Sequence, residues 1–318
     1  MVSSVESRVR VSSPAPLYLA LVVKRSQSAM ARILDGKGGI RAGWGVLLFI
    51  GFGALLLLPL LLLAGVLVGH RIQGGTGTML LAPSFLGESA LALSIVGATC
   101  LMARIEKRKP WAYWLDDKHG LRKFGVGALM GLVSLALLVT ALFFGHFIVF
   151  DRMLLHGPSV FLYGAAWLGM FFVLGFCEEA LFRGYVHYTL TRGTSFLWSS
   201  IITSVLFGLA HMTNSNEGPI GLASVLLAGL AFCWVLWFTG SIYFAIGFHT
   251  TWDWAQSFLF GVPNSGQLSE GRLFLTHAQG SELWSGGSTG PLGSVLMIPV
   301  IVLTSVVCWW IYHRKPEL

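Results

Sequence analysis

The segment VFLYGAAWLGMFFVLGFCEEALFRG, residues 160–184, joins a long apolar run to a short charged cluster. Residues 160–182 are long enough to cross a bilayer as a helix, because about 20 residues with a rise of 1.5 Å each span about 30 Å of hydrocarbon. Glu178, Glu179 and Arg183 then fall at the edge of a predicted membrane helix. Ionisable groups are costly in that position, so each of them calls for a partner or a chemical role.

Similar apolar runs recur throughout the 318 residues of the chain. Hydrophobic residues make up 55% of the sequence and charged residues only 11%, with a mean hydropathy of +0.73. Soluble proteins carry about 25% charged residues. The composition therefore predicts an all-α, polytopic membrane bundle of about eight transmembrane helices. The predicted spans are residues 44–69, 79–103, 124–150, 160–182, 195–212, 220–238, 241–260 and 291–312.

The distribution of Lys and Arg predicts the orientation of this bundle, because these residues accumulate in cytoplasmic loops. Most of them precede the first span or follow the second. We therefore predict a multi-pass protein of the cell membrane with both termini in the cytoplasm. Residues 1–43 would form a basic cytoplasmic tail and residues 44–318 the helical bundle, with a motif core at about 160–260. The Gly- and Ser-rich stretch 261–290 is predicted to be an irregular extracytoplasmic loop.

The net charge of +7 needs no nucleic-acid partner. Topology and contact with anionic lipid headgroups account for it, so the predicted partner is the lipid bilayer and no nucleic acid is expected. Glycine pairs with GxxxG spacing, Gly65/Gly69 and Gly127/Gly131, are predicted to let helices approach closely, since small residues favour packing in membranes.

A few further ionisable residues lie inside or at the ends of predicted spans. His211 ends FGLAHMTN (207–214), and His249 and Asp253 lie within GFHTTWDWA (247–255). Glu88, in the second span, is a further candidate without an assigned role. His249 and Asp253 are four residues apart and share one helix face, which is difficult to explain near the middle of a membrane unless they face a hydrated cavity.

The two glutamates differ in their helical neighbours. Glu179 can pair with Arg183 one turn later, whereas Glu178 has no such cation on its own helix. An unpaired carboxylate in an apolar site is a candidate general base. The simpler alternative is that both glutamates end a helix and extend toward water beside Arg183, and that His211 lies at the membrane interface.

Three clusters occur in successive hydrophobic regions: EExxxR at 178–183, FxxxH at 207–211 and HxxxD at 249–253. Together they resemble the CPBP family of intramembrane proteases, which includes the CAAX prenyl endopeptidases and bacterial relatives linked to bacteriocin processing or self-immunity. The stretch IRAGWGVLLF (40–49) is also similar to the start of many bacterial members. The resemblance implies an intramembrane endopeptidase that acts on a membrane-associated peptide or protein, either CAAX-type or a leader peptide.

The resemblance also implies roles for individual residues. Glu178 would activate the attacking water, and His211 would act with it on that water. Glu179 and Arg183 would organise the helix that carries Glu178. These roles agree with the chemistry of peptide hydrolysis, which needs a base and a positioned water.

By the same resemblance His249 and residue 253 would stabilise the oxyanion of the tetrahedral intermediate. Position 253 is Asp here, where Asn is common in the family, and an ionised carboxylate cannot donate a hydrogen bond. Asp253 must therefore be protonated or must orient His249. We expect no required cofactor. The alternative is Zn²⁺ held by two histidines and two carboxylates, although the chain has no HExxH motif.

Two other functional classes compete with a protease. Buried Glu, His and Asp residues also form proton relays in secondary transporters, but such proteins favour inverted repeats and broken spans, which this sequence does not show. The same fold could also serve as a non-enzymatic immunity or scaffold protein. One geometric difficulty concerns the protease itself: with these span limits Glu178 lies near the cytoplasmic side and His211 near the opposite side. Span four must then continue toward Thr191, or span five must begin deeper.

Overall fold

The computed structural model describes residues 35–36, 39–68, 78–214 and 216–313. Residues 1–34, on which most of the predicted basic tail falls, lie outside the described residues. The end of that predicted tail contains a short antiparallel pair, β1 (Asp35–Gly36) with β2 (Gly39–Ile40). The first helix begins two residues before the predicted start of the bundle.

Helices dominate the described part of the chain. They are α1 (Ala42–Val68), α2 (Leu81–Ile105), α3 (Gly120–Phe144), α4 (Pro158–Glu179), α5 (Val186–Gly193), α6 (Phe196–His211), α7 (Pro219–Thr239), α8 (Tyr243–Trp254), α9 (Glu282–Ser285) and α10 (Met297–Tyr312). A π-helical turn, Ala180–Tyr185, joins α4 to α5, and a second, Ala255–Leu259, extends α8. Single 3₁₀ turns occur at Pro110–Ala112, Gly287–Thr289 and Pro291–Gly293.

Each of the eight predicted spans coincides with a helix, so the all-α polytopic membrane bundle is confirmed. Within the described ranges, five helical segments are both long enough and apolar enough to cross a bilayer. They are Ala42–Val68, Leu81–Ile105, Gly120–Phe144, Pro158–Gly193 and Pro219–Thr239. The helices α6 and α10 are apolar but shorter, and α8 has only 12 residues. The count of eight crossings therefore stays a prediction.

The region between α3 and α4 differs from the prediction. The third span was predicted to continue to residue 150, but α3 ends at Phe144 and strand β4 follows at Ile148–Met153. His146, with φ of 60°, adopts a backbone conformation that interrupts the helix. The next residues, Ile148, Val149 and Phe150, are β-branched or aromatic and favour a strand.

The stretch 261–290 is also more regular than predicted. Strand β6 (Phe274–Ala278) pairs antiparallel with β4, and β5 (Leu268–Ser269) pairs parallel with β3 (Thr78–Met79). Long-range pairing of this kind leaves no short turn signal in the sequence, which is why the segment resembled an irregular loop.

The last predicted span also begins too early, because α10 begins at Met297.

Two predicted glycine pairs have different outcomes. Gly127 and Gly131 lie where α3 packs on α8, and a Cβ added at either position would overlap the backbone carbonyl of Phe244 or Phe248. This confirms close helix packing at that pair. For Gly65, no heavy atom of the described residues lies within 4 Å of an added Cβ, so the described part of the chain shows no close helix approach there. Its partner four residues later lies outside the described residues.

Gly127→Ala is expected to destabilise the bundle, because the new methyl group meets the Phe244 backbone rather than a movable side chain. Overpacking of this kind costs about 1–3 kcal/mol. The measurement is the thermal unfolding midpoint of the purified protein in detergent. Gly125→Ala is the matched control, since it lies on the same helix with nothing within 4 Å of the added Cβ. Equal midpoints for the two variants would contradict this packing.

One end of the bundle carries a network around a single carboxylate, Glu106. Its oxygens accept hydrogen bonds from the hydroxyl groups of Tyr185 (2.8 Å) and Tyr113 (3.2 Å). They also lie 3.5 Å from Nε of Arg108 and Nη1 of Arg192. This network fixes the end of α2 against the end of α5, at the opposite end of the bundle from the β4–β6 pair.

Candidate active site

Helix α4 continues through its π-helical turn into α5, so the chain stays helical from Pro158 to Gly193. The predicted end at residue 182 is therefore too early, and the alternative that this span continues toward Thr191 is the one observed. Gly184, with ψ of −117°, marks the kink. A π-type turn is a common cause of such a bend.

Because of this extension, Glu178 and His211 lie at a similar depth along the bundle axis. Glu178 lies 15 residues before Gly193, the end of α5, and His211 lies 15 residues after Phe196, the start of α6. Both are then roughly 22 Å from the turn that joins the two helices. Helix α6 starts within one residue of the predicted position, so the longer α4–α5 segment alone removes the mismatch in depth.

The imidazole of His249 lies among three carboxylates. Its Nδ1 is 3.1 Å from Oε1 of Glu179, and its Nε2 is 3.3 Å from Oε2 of Glu178 and 3.3 Å from Oδ2 of Asp253. Gly175 allows this approach of α4 to α8, because an added Cβ would lie 3.3 Å from Cβ of His249. Residues that the sequence predicted on two different helices therefore form one contiguous cluster.

The protons on His249 follow from its neighbours. Oε1 of Glu179 accepts a hydrogen bond from Nη1 of Arg183 at 3.1 Å, and both side chains are fully buried. An oxygen held by a guanidinium is an acceptor, so Nδ1 of His249 donates to it. Nε2 lies 3.3 Å from a carboxyl oxygen of Glu178 and of Asp253, and Oε2 of Glu178 makes no hydrogen bond to a described residue.

Arg183 is held by aromatic rings as well as by Glu179. The guanidinium carbon lies 4.3 Å from the ring centroid of Phe207 and 5.6 Å from that of Phe232, within the range of cation–π attraction. Gly229 on α7 leaves the space it occupies, because an added Cβ would be 2.8 Å from Nη2. The predicted pairing of Glu179 with Arg183 is confirmed.

His211 has a defined tautomer. Its Nδ1 lies 2.9 Å from the carbonyl oxygen of Phe207, which can only accept, so Nδ1 is the donor. The imidazole also packs edge-on against the Phe207 ring, with centroids 4.7 Å apart. Nε2 of neutral His211 then keeps a free lone pair.

A cavity of about 320 Å³ connects these groups. Glu178, His211, His249 and Asp253 line it, whereas Glu179 and Arg183 do not. The six predicted site residues thus divide into four that face the cavity and two that lie buried behind them. Other lining residues are Met79, Ser84, Gly87, Glu88, Met170, Leu174, Phe207, Asn214, Val225, Ala228, Phe232, Phe248, Trp252, Asn264, Ser265, Gln267, Leu292 and Met297.

Sequence reasoning missed part of this lining. Asn214, Asn264, Ser265 and Gln267 come from connecting segments. The polar content of the stretch 261–290 is the only sequence signal for the last three. The sequence assigns no role to the intramembrane carboxylate of Glu88. It lines the cavity, and its side chain makes no hydrogen bond or ion pair to another described residue.

A zinc ion does not fit these side chains as they are arranged. Within the described ranges, no group of three or more His, Cys, Asp and Glu residues has the geometry of a metal site. Zinc needs ligand lone pairs at about 2.0–2.3 Å. Nδ1 of His249 is engaged by Glu179, so a metal ion could reach only Nε2 of that ring, which lies 3.3 Å from a carboxyl oxygen of Glu178 and of Asp253.

Comparison with known proteins gives one family match. Residues 161–255 match the family model described as type II CAAX prenyl endopeptidase Rce1-like. The matched segment runs from α4 to the start of the π-helical turn after α8 and contains all three motifs. This confirms the resemblance to the CPBP and CAAX protease family. A comparison with curated proteins gives no match.

Proposed function

We propose that this chain, a multi-pass membrane protein with a CAAX-endopeptidase-like core, is an intramembrane endopeptidase. Its substrate would be a membrane-associated peptide or protein, and the chain would lie in the cell membrane with both termini in the cytoplasm. The observation that carries the proposal is the cavity shared by Glu178, His211, His249 and Asp253. All four lie in the matched segment 161–255.

The first chemical step is activation of water. Glu178 accepts a proton from a water molecule in the cavity while the water oxygen attacks the carbonyl carbon of the scissile bond. Nε2 of His211 has the lone pair needed to accept a hydrogen bond from the same water and so to orient it. The proton then moves to the leaving nitrogen, the C–N bond breaks, and Glu178 returns to its charged form.

The second requirement is a donor for the oxyanion. Nε2 of His249, 3.3 Å from Glu178, would donate a hydrogen bond to the oxyanion when it carries a proton. The contact of Nδ1 with Glu179 fixes the plane of the ring. Asp253 can donate only while it carries a proton; otherwise it orients His249. Donors aimed at the developing negative charge lower the barrier because they need no reorganisation during the reaction.

The test is hydrolysis of a membrane-embedded or prenylated reporter peptide by the purified full chain in detergent. Mass spectrometry of both products should show a single cleaved peptide bond, with heavy oxygen from labelled water in the new carboxyl group. Glu178→Ala, purified in parallel, should give no products. Equal product formation by this variant would assign the cleavage to a contaminant and would remove the support for the proposal.

Asp253→Asn should separate the two roles of position 253. If residue 253 donates to the oxyanion, the amide donates at every pH, so activity is kept and extends to higher pH. The parent should lose activity as its carboxyl group loses the proton. The measurement is a pH–rate profile of both proteins, with Asp253→Ala as the control that can neither donate nor accept. A folded but inactive Asn variant would show that the carboxylate itself is required.

A strong chelator should leave the activity of the parent protein unchanged if no metal takes part. The measurement combines the rate before and after chelation with the zinc content of the purified protein. Activity that disappears on chelation and returns with stoichiometric zinc would overturn the metal-free proposal. In that case Asp253 would be the carboxylate behind a ligating His249, an arrangement common in zinc sites.

A further inference from the structure

The cavity extends toward one particular end of the bundle. Its lining includes Asn214 just after α6, Ser84 in the first turn of α2, and Asn264 and Gln267 in the connection after α8. All of these lie at the end that carries the β4–β6 pair. At its other limit, the buried pair Glu179 and Arg183 lies behind the cavity wall.

The opposite end of the bundle carries most of the positive charge. The described Lys and Arg residues at that end are Arg41, Arg104, Lys107, Arg108, Lys109, Lys118, Arg122, Lys123 and Arg192. Among the described residues, the end with the cavity lining has Arg152 and Arg272. Positively charged segments close to membrane helices stay on the cytoplasmic side. The polar end of the cavity therefore faces away from the cytoplasm.

We infer that the substrate of the protease proposed above reaches Glu178 from the extracytoplasmic face of the membrane, past Asn214, Asn264 and Gln267. The substrate class is then an exported, membrane-anchored peptide or protein whose scissile bond lies on the outer side. A protein prenylated in the cytoplasm would meet the basic end of the bundle instead. This inference rests on the proposed protease function.

The charge of the cavity lining further restricts the class of substrate. Glu88, Glu178 and Asp253 contribute carboxyl groups to the lining, and no described Lys or Arg residue lines the cavity. A free C-terminal carboxylate close to the scissile bond would be repelled by these carboxyl groups wherever they are ionised. An internal peptide bond flanked by neutral or basic residues fits this lining better.

The orientation can be tested without activity. Gln279 is exposed beside β6 and Lys118 is exposed in the α2–α3 connection. In a background with Cys100 replaced by Ser, Gln279→Cys should react with a membrane-impermeant maleimide in intact cells that produce the full chain. Lys118→Cys should react only after the cells are opened. The reverse pattern would overturn the inference.

The route of the substrate is tested with two single-pass reporters that place the same cleavable segment on opposite faces of the membrane. In cells, cleavage should occur only when the segment is outside. Cleavage of the cytoplasmic reporter alone, or of both equally, would overturn the inference. Purified protein in detergent should cleave both reporters, because no membrane separates them from the site. Failure on both in detergent would instead reject the proposed protease function and the inference with it.

Discussion

Glu178→Gln is expected to abolish peptide hydrolysis while the protein remains folded. Gln keeps the shape of the side chain but cannot accept a proton from water, and a positioned general base contributes about 10²- to 10⁴-fold to a rate. The loss should appear in kcat rather than in KM, because the carboxylate acts on the water and not on the bound peptide. The measurement is steady-state cleavage of the reporter, with the unfolding midpoint as the test of folding.

Glu88→Gln provides the matched comparison for this result. It removes a carboxylate from the same cavity but from a residue outside the three motifs, so the expected change in kcat is less than tenfold. Equal losses for Glu88→Gln and Glu178→Gln would indicate that the negative charge of the cavity matters, and not a base at position 178. A folded Glu178→Gln variant with near-parental activity would reject Glu178 as the base.

Arg183→Ala is expected to cause the largest loss of stability. Arg183 and Glu179 are both fully buried, and without Arg183 the described polar partner left to Glu179 is His249. Removal of one partner of a buried ion pair costs about 3–5 kcal/mol, because it leaves an uncompensated charge. The unfolding midpoint in detergent should fall accordingly, and activity should fall as well, since Glu179 also holds Nδ1 of His249.

The double variant Glu179→Gln with Arg183→Met is the control for this interpretation. It removes both charges and keeps side chains of similar length, so it should recover much of the stability that Arg183→Ala loses. Its activity should stay low because His249 loses its charged partner. A double variant no more stable than Arg183→Ala would mean that Arg183 acts through its packing on Phe207 and Phe232.

Hydropathy predicted the helices well because the bilayer imposes their length and composition. Hydropathy predicted the wrong limits where contacts with other parts of the protein determine the structure. The helix beyond Phe182 carries polar residues that pack against protein, such as His187, whose Nε2 lies 3.1 Å from Oγ of Ser200. Strand β4 depends on a partner far along the chain, so its helix-like hydrophobicity was misleading.

Sequence spacing predicted which site residues pair on the same helix, but it could not predict contacts between helices. The pairs Glu179–Arg183 and His249–Asp253 follow from the four-residue period alone. The contact of His249 with Glu179 joins residues 70 positions apart and is set by the packing of α4 on α8. The cavity lining from the stretch 261–290 could not be predicted, because its position depends on the β4–β6 pairing.

That pairing also determines the order in which the protein can be assembled during synthesis. Ile148 pairs with Ala278, so β4 must wait while about 130 further residues are made. At about 5–20 residues per second this delay is many seconds. Until then the wall that carries Asn264 and Gln267 is absent, although the motif helices have already been made. A ribosome-bound chain that ends before β6 should therefore lack an enclosed cavity, so that hydrolysis begins only once nearly the whole polypeptide has been inserted.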